Sequence, residues 1–501
     1  MKYEVVIGLE AHAQLATKTK LFCGCSTRFG EPPNTQTCPV CAGHPGVLPV
    51  LNRTAFEYAL KTALTLHCEV RPHTALDRKN YYYPDLPKNY QISQSYDNLG
   101  VNGYMDLEGE GQTRRVRIHN VHIEEDAGKL LHPEDVESAI AAGELVADEE
   151  PVLGPYRSLS ELTLVDLNRA GTPLCEIVTE PDLRSVEEAR VYMETLAGIL
   201  LYLGVSDCKM QEGSLRFEAS ISLRPFGSEK YGNRVEIKNL NSMKAVVHAL
   251  DYEARRQTAC LDDGETVARE TRLWDDAAGR TAPMRSKEEA HDYRYFPEPD
   301  LVPVAIEPGW LERLRAGIPE LPLARRRRFI EQLGLPAYDA GILVGDKALA
   351  DYFEECVRLG LEPKTASNWM MGSVLRELNA RDIPVAELRV PPAALWELAR
   401  LVAESVIALN TGKEVFSEMA ESGRPAREIV EARGLRQISD TGELEAVVLK
   451  VLKENPKAVA DLREGKKQAQ GFLMGQVMRA TQGKANPQVV AQLVAKKLPE
   501  A

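Results

Sequence analysis

Residues 211–223 read QEGSLRFEASISL, and polar and apolar side chains alternate along this stretch. Successive side chains of a strand point to opposite faces of its sheet, so the alternation predicts a half-buried strand. The apolar positions from Leu215 to Leu223 should face a core. The other face should then carry the polar positions Glu212, Ser214, Arg216, Glu218, Ser220 and Ser222.

The same period recurs through the first part of the chain, and it predicts the fold class. Residues 3–9, 116–118 and 235–237 alternate in the same way, and residues 186–203 carry apolar side chains at helical spacing. We therefore predict an α+β domain with a large, mainly antiparallel sheet over residues 1–291. A helical domain over residues 292–406 and a small helical tail domain over residues 407–501 should follow. In the tail, Asn486-Pro487 should cap and open the last helix.

Composition narrows the class of protein. The 501 residues are 44% apolar and 27% charged, and the net charge is −13. This acidity argues against broad, sequence-blind nucleic-acid binding, so any RNA contact should come from local basic patches. The nine cysteines favour a reducing cytoplasm over a disulfide framework. The first residues, MKYEVVIGLEAHAQ, do not resemble a signal peptide, and no apolar run predicts a membrane span.

Four cysteines fall into two close pairs, Cys23 with Cys25 and Cys38 with Cys41. Two such pairs on loops rich in proline and glycine can bring four thiolates onto one tetrahedral Zn²⁺. A closed four-thiolate site is structural, so the chemistry should lie beside it. The alternative is that some of these cysteines only pack as small apolar side chains.

Acidic residues lie in two predicted strands, where Glu10 shares a face with His12 and Glu124 shares a face with His122. Glu10 and His12 lie two apart in the first predicted strand, and Glu124 and Glu125 end another. Carboxylates beside histidine and arginine on a sheet suit Mg²⁺ that bridges nucleotide phosphates. We predict Glu10, His12, Glu124, Glu125 and Glu212 as catalytic residues. The alternative is a solvated sheet face that merely carries charges.

Two motifs are absent from the sequence. No glycine-rich loop of the G-x-x-x-x-G-K-[ST] type is present, so ATP would have to bind on an open sheet with metal-binding acids. No nucleophile segment of the amidase kind is present either. If the reaction needs ammonia, another chain must release it.

Long segments resemble one family, the B subunits of the tRNA-dependent aspartyl/glutamyl amidotransferases. The resemblance spans essentially the whole chain. It is carried by VIGLEAHAQL, FCGCSTRFG, PNTQTCPVCAGHPGVLPVLN, RKNYYYPDLPKNYQISQ, HIEEDAGK, DLNRAGTPLCEIVTEPDLRS, KMQEGSLR, VEIKNLNS, MRSKEEAHDYRYFPEPDL, NWMMGSVLRELN and GQVMRATQGKANPQVV.

The resemblance implies a cradle domain related in fold to glutamine synthetase. It also implies a reaction in which ATP phosphorylates the side-chain carboxylate of Glu or Asp misattached to tRNA(Gln) or tRNA(Asn), and ammonia then displaces phosphate. The implied nucleotide is ATP, and we predict that Glu10, Glu124, Glu212 and Glu218 bind it together with Mg²⁺; the cysteines would hold a structural Zn²⁺. The implied partners are an amidase (glutaminase) subunit, a small third subunit and the misacylated tRNA, with no membrane. At residues 217–218 the family usually has Cys-Asp where this chain has Phe-Glu.

Two further sets of residues complete the prediction. The resemblance implies an ammonia channel lined by Lys79, Tyr82, Lys88 and Thr179, although surface lysines are the commoner case. Phosphate binding requires local positive charge, which Arg325 to Arg328 and the tail both concentrate. We predict tRNA binding by the tail residues Lys453, Lys457, Arg463, Lys466, Lys467 and Arg479. The alternatives are a zinc-containing RNA-binding module without catalysis, and an amide ligase that acts on a small free acid.

Overall fold

The computed structural model describes residues 2–109, 112–141, 162–284, 293–437, 441–464, 466–481 and 485–498. Its strands are β1 (Tyr3–Gln14), β2 (Glu69–Val70), β3 (His73–Thr74), β4 (Asp77–Asn80), β5 (Tyr90–Ser93), β6 (Gly100–Gly109), β7 (Gln112–Glu125), β8 (Lys129–Leu131), β9 (Leu164–Asp166), β10 (Pro173–Thr179), β11 (Leu215–Pro225), β12 (Val235–Lys238), β13 (Glu270–Asp275), β14 (Arg280–Pro283), β15 (Phe296–Pro297) and β16 (Val304–Ala305).

Nine of these strands form one sheet in the order β14-β13-β12-β11-β1-β10-β7-β6-β2. Neighbouring strands run antiparallel, except that β12 and β13 are parallel. The prediction of a large, mainly antiparallel sheet in an α+β protein is confirmed. The first strand lies in the middle of the sheet, between β11 and β10, so its side chains have neighbours on both sides.

The helices are α1 (Arg53–Thr65), α2 (Pro133–Ala141), α3 (Val186–Leu203), α4 (Met243–Asp262), α5 (Pro308–Ala316), α6 (Pro322–Glu331), α7 (Ala337–Gly345), α8 (Lys347–Arg358), α9 (Pro363–Trp369), α10 (Leu375–Arg381), α11 (Pro392–Ala403), α12 (Leu409–Ser422), α13 (Ala426–Ala432), α14 (Thr441–Glu454), α15 (Pro456–Arg463), α16 (Lys467–Ala480) and α17 (Pro487–Lys497). A π-helix, Met370–Val374, joins α9 to α10. Among the described residues, no helix is both long enough and apolar enough to span a bilayer.

One face of the sheet is buried under α1, α3 and α4. The apolar side chains of these helices share a core with those of the strands, such as Ile7 of β1 and Ile221 of β11. Burying this face leaves the alternate residues of each strand on the opposite, polar face. The candidate site lies on that polar face.

The strand that contains residues 215–223 begins later than we predicted. It starts at Leu215, and residues 210–212 form a 3₁₀ turn that ends at Gly213 with φ 77°. The prediction that Glu212 lies on the polar face of this strand is therefore wrong. The physical reason is the left-handed glycine, which turns the chain before pairing with β1 begins.

The chain divides into two compact units, Met1–Leu321 and Pro322–Ala501. The second unit contains two hydrophobic clusters. One runs from Phe329 to Val430 and the other from Leu444 to Val494. The three predicted domains with boundaries at 291/292 and 406/407 stay a prediction; residue 291 lies outside the described residues, and residue 406 lies within the span of the first of these clusters.

Candidate functional site: a carboxylate and histidine cluster on the open sheet face

Strand register brings the polar side chains of four strands together. Opposite Glu10 of β1 lies Glu218 of β11. Opposite His12, two residues on, lie Arg216 of β11 on one side and Glu176 of β10 on the other. Paired residues of antiparallel strands project to the same face, so these groups form neighbouring rows on the polar face.

Glu176 lies at the centre of these rows. Its carboxylate is 3.4 Å from Nε2 of His12 and 3.1 Å from Nε2 of His122, which is its partner on β7. A carboxylate oxygen of Glu124 lies 3.9 Å from the same Nε2 of His12. One ligand atom from each of His12, Glu124 and Glu176 lies within 4.8 Å of the others, which is close enough for one metal ion.

Burial and neighbouring charges shift the pKa values of His12 and Glu176 in opposite directions. Burial alone would lower the pKa of His12, but the hydrogen bond and charge of Glu176 raise it to about 9. Burial likewise disfavours ionised Glu176, yet His122 and His12 hold the pKa of its carboxyl well below the usual range. The pKa of Glu124 is raised, by burial and then by the nearby Glu176 carboxylate. These directions favour an ionised Glu176 and a protonated His12 at neutral pH.

A second group of carboxylates lies one row away. Glu10 is opposite Glu218, and burial together with the Glu176 and Glu218 carboxylates raises the pKa of Glu10. Lys238 of β12 partly offsets this negative charge, because its Nζ lies 3.0 Å from Glu218 and 3.1 Å from Glu236. Neighbouring carboxylates repel each other, and a cation bound between them offsets this repulsion.

Asp126 closes the cluster on the side of β7. It accepts hydrogen bonds from both terminal nitrogens of Arg216, at 3.1 and 3.2 Å, and from Gln14 at 2.9 Å. Burial opposes ionisation of Asp126, but Arg216 and Arg169 lower its pKa. Because its charge is already neutralised, Asp126 positions Arg216 beside His12 and is not an open metal ligand.

The other two predicted catalytic acids have partners of their own. Glu125 is buried, forms an ion pair with Lys88 and accepts a hydrogen bond of 2.9 Å from the amide of Ile92. Glu212, in its 3₁₀ turn, pairs with Lys209 at 2.8 Å. Each acid therefore has its own lysine and stands apart from the group around Glu176.

The residues predicted to line an ammonia channel differ in environment. Lys79 is half-buried, with its Nζ 5.0 Å from the centre of the Tyr293 ring and 5.8 Å from that of Tyr81. Burial would lower its pKa, but the charge of Glu124 raises it, so Lys79 stays protonated beside the cluster. Tyr82, in contrast, is 83% exposed. Thr179 is buried, and its hydroxyl accepts a hydrogen bond of 2.9 Å from the amide of Leu9.

The four cysteines form a compact group, and Cys23 and Cys41 line a small cavity together with Lys88 and Glu125. One sulfur atom from each of Cys23, Cys25, Cys38 and Cys41 lies within 4.8 Å of all the others. The Sγ of Cys41 is 3.9 Å from that of Cys38 and 4.0 Å from that of Cys25. Zinc–sulfur bonds of about 2.3 Å in a tetrahedron require sulfur–sulfur distances of about 3.8 Å. The donor set therefore fits Zn²⁺.

The thiol of Cys41 is acidified by its neighbours. Hydrogen bonding from Cys23, from the amide of Cys38 and from other neighbours lowers the pKa of Cys41 to about 4, and Lys20 contributes to this shift. The same hydrogen bond raises the pKa of Cys23, and burial raises that of Cys25 to about 11. The group is thus built around a thiolate, the form that binds a metal.

The two basic segments also differ. Arg325 is only 5% exposed and pairs with Asp351 and Glu354, whereas Arg327 of the same helix is exposed. In the tail, Lys453, Lys457 and Arg479 are exposed. Arg463 donates a hydrogen bond to the carbonyl of Leu498, and Lys466 pairs with Asp461. The side chain of Lys467 lies outside the described residues.

Two residues of the site were missed by sequence reasoning. Glu176 is the one charged residue of the strand PLCEIVT, and an acid within such an apolar run is a signal that could have identified it. Lys20 is 1% exposed, with its Nζ 3.5 Å from Cys41 Sγ. Its position three residues before Cys23 gave no comparable signal.

Comparison with known proteins identifies the family. Residues 5–312 match the family model described as the GatB/GatE catalytic domain, and residues 351–498 match that described as the GatB domain. A protein of Moorella thermoacetica is 53% identical over 498 residues, which cover 99% of this chain and all of the relative. A protein of Caldanaerobacter subterraneus is 51% identical over 498 residues with the same coverage, and one of Caldicellulosiruptor saccharolyticus is 50% identical over 501 residues, 99% of each chain. All three are named as the B subunit of an aspartyl/glutamyl-tRNA(Asn/Gln) amidotransferase. The resemblance seen in the sequence is confirmed, and the chain belongs to the family of aspartyl/glutamyl-tRNA(Asn/Gln) amidotransferase B subunits.

Proposed function

We propose that the polar face of the sheet activates the side-chain carboxylate of Glu or Asp on a misacylated tRNA(Gln) or tRNA(Asn), so that ammonia can convert it to the amide. The observation that carries this proposal is the cluster of His12, Glu124 and Glu176, flanked by Glu10 and Glu218. A carboxylate does not react with ammonia at neutral pH, and ATP meets this chemical need. The acidic cluster supplies the negative groups that a metal–nucleotide complex requires.

The proposed reaction has two steps, phosphorylation of the carboxylate and displacement of phosphate by ammonia. A carboxylate oxygen of the substrate attacks the γ-phosphorus of ATP, and ADP leaves with the bridging oxygen. Ammonia then attacks the acyl carbon, and inorganic phosphate leaves with the former carboxylate oxygen. The cations Lys79 and Arg216, which lie beside the cluster, can hold the developing negative charge during both steps.

Magnesium is the metal that this donor set favours. The carboxylates of Glu10, Glu124, Glu176 and Glu218 offer the oxygen ligands that this ion prefers. When bound, Mg²⁺ would neutralise phosphate charge and orient the transferred group. Protonated His12 would leave its ion pair with Glu176 once a metal takes that carboxylate.

The predicted role of Glu212 has less structural support than that of Glu10 or Glu124. Its carboxylate pairs with Lys209, so a role in binding the metal–nucleotide complex would require it to leave that lysine. Glu125, with its ion pair to Lys88, is better suited to holding that lysine in place than to binding a metal.

The cysteine group is proposed to bind one structural Zn²⁺. Four sulfur donors close the coordination sphere and leave no position for substrate. Its proposed effect is to order the loop of residues 23–41, which is hydrogen-bonded to residues 165–168.

The proposed partners are other protein subunits and tRNA. They are inferred from the name of the relatives and from the need of the reaction for ammonia. The relatives are B subunits, which implies an assembly with other chains, and we propose that these are a glutaminase (amidase) subunit and a small third subunit. The glutaminase would release ammonia, which would pass Lys79, Tyr82, Lys88 and Thr179. The exposed basic residues of the tail would contact the phosphates of the tRNA.

The test uses the assembled complex with each misacylated tRNA, glutamine and ATP, followed by identification of the amino acid on the tRNA. We expect Gln or Asn to appear only with ATP. γ-Phosphate release should fall by orders of magnitude in the Glu10→Ala variant, with the glutaminase activity of the partner intact. Near-normal phosphate release in both Glu10→Ala and Glu124→Ala would refute the assignment. Glu212→Ala, measured in parallel, decides whether that acid takes part.

A further inference from the structure

Lys20 is a buried lysine that the proposed reaction does not use. Its side chain is 1% exposed, although lysine is among the residues least often buried without a partner. Its Nζ donates to Cys41 Sγ at 3.5 Å and to the carbonyl of Leu167 at 3.1 Å. It therefore lies between the cysteine group and the segment of residues 164–172, which leads into β10 and Glu176.

The same segment is attached to the cysteine loop by several other hydrogen bonds. The side chain of Asn34 accepts from the amide of Leu167 at 2.8 Å and donates to the carbonyl of Val165 at 2.9 Å. Asn168 donates to the carbonyl of Pro32 at 2.7 Å and accepts from the amide of Gln36 at 2.8 Å.

The segment also reaches the catalytic cluster. Arg169 donates to the carbonyls of Ala127 and Gly128 at 3.0 and 2.6 Å and lies 3.6 Å from Asp126. The backbone of Asp126 pairs with Gly171 and Thr172 at 2.9 and 2.8 Å. Asp126 in turn holds Arg216, which is the strand partner of His12. A continuous path of contacts thus joins Cys41 to the catalytic face.

We propose that Lys20 is a positioning residue that neutralises the metal-bound cysteine group through Cys41 and ties that group to the loop which holds Asp126 and Arg216. The proposal rests on the zinc binding proposed above. Four thiolates with one Zn²⁺ carry two net negative charges. Cys41 is buried and the other three cysteines are half-buried, and placing charge at such a site without a counter-ion is costly. Lys20 supplies one positive charge inside the protein, where it is not screened by solvent.

The first test measures zinc affinity in the full-length chain by competition with a chromophoric chelator. Outer-shell substitutions commonly weaken metal binding about 10- to 100-fold, and we expect a loss in this range for Lys20→Met. Lys20→Gln, which keeps a donor for Leu167 but lacks the charge, should show most of the same loss. Lys18→Met is the matched control, because Lys18 is exposed and two residues away; it should bind zinc as the parent chain does.

The second test measures hydrogen exchange of the amides of residues 170–172, which donate within this loop and to Asp126. They should exchange faster in Lys20→Gln, and faster in the parent chain after zinc is removed, while the amides of β11 stay unchanged. Parent-like zinc affinity in a folded Lys20→Gln variant would overturn the proposal and leave the zinc site standing. A parent chain that binds no zinc would instead overturn the zinc site and the inference together, with the amidation chemistry still to be judged by its own assay.

Discussion

His12 and Glu176 lie opposite each other on neighbouring strands at the centre of the sheet, with Nε2 of the histidine 3.4 Å from a carboxylate oxygen. His122 approaches the same carboxylate from the other side, at 3.1 Å. One carboxylate thus holds two imidazoles, and these partly offset its repulsion of a second carboxylate, Glu124. The metal of a metal–nucleotide complex could replace the two histidines as the counter-charge of Glu176.

The His12–Glu176 pair should make stability depend on pH. The pKa of His12 is raised from 6.5 to about 9 in the folded chain. The stabilisation is therefore complete below about pH 6.5 and is lost as the pH rises through about 9, and it amounts to at most about 3 kcal/mol. Urea unfolding of the chain without added Mg²⁺ should show this decline, and His12→Gln should reduce it. A remainder is expected from His122, because Glu176 raises the pKa of that imidazole too, against the effect of burial. His119→Gln, at an exposed site, is the control; an equal flattening in that variant would contradict the assignment.

Replacing Glu176 should damage catalysis more than replacing any one surface acid. In Glu176→Gln the two histidines lose their common anion and a metal loses a ligand, so we expect phosphate release to fall about 100-fold or more. Glu180→Gln, just beyond the end of the same strand and paired with His119, should stay near normal. Single-turnover phosphate release with misacylated tRNA gives the comparison, and circular dichroism checks that both variants are folded.

Lys79 should affect the two nitrogen sources differently if it lines the ammonia route. Lys79→Met should impair amidation driven by glutamine more than amidation fed with external ammonium. Lys129→Met, an exposed lysine elsewhere in the same unit, is the control. Equal losses with both sources would assign Lys79 to the activation step, consistent with its position near Glu124, and would count against a channel role.

The tail should contribute to tRNA binding, and the structure defines where it can be removed. A cut near residue 410 would take Val415, Phe416 and Val430 out of the first cluster of the second unit. A chain that ends at Gln437 keeps that cluster and removes the separate one that begins at Leu444. In the assembled complex it should bind tRNA more weakly, with a shallower slope of log affinity against log salt, while zinc content stays the same. Unchanged affinity and slope would move the tRNA site off the tail.

The sequence was sufficient to predict the bounds of a helix where capping residues mark both of its ends. The helix predicted over residues 186–203 has these bounds in the structure, because Ser185 caps its start and Gly204 ends it in the left-handed conformation. Asn486 likewise caps α17, as predicted. Strand parity correctly put Glu10 and His12 on one face, because alternation is a local property of an extended chain.

What the sequence could not provide was the order of the strands. Nothing within β10 indicates that it lies between β1 and β7, so Glu176 could not be placed between His12 and His122. The partners of Lys20 and Glu125 depend on contacts over 147 and 37 residues, respectively. Glu212 was misplaced because the turn at Gly213 overrides the alternation that continues through it.

The central claim is that this face activates a carboxylate of aminoacyl-tRNA by phosphorylation, and one isotope measurement tests it most directly. The assembled complex is given ATP, ammonium and Glu-tRNA(Gln) whose side-chain carboxylate carries ¹⁸O, and the released phosphate is analysed by mass spectrometry. We predict one ¹⁸O in each phosphate, because phosphate leaves with the former carboxylate oxygen, and no such transfer in Glu10→Ala. Amide formation with phosphate free of ¹⁸O would contradict the account.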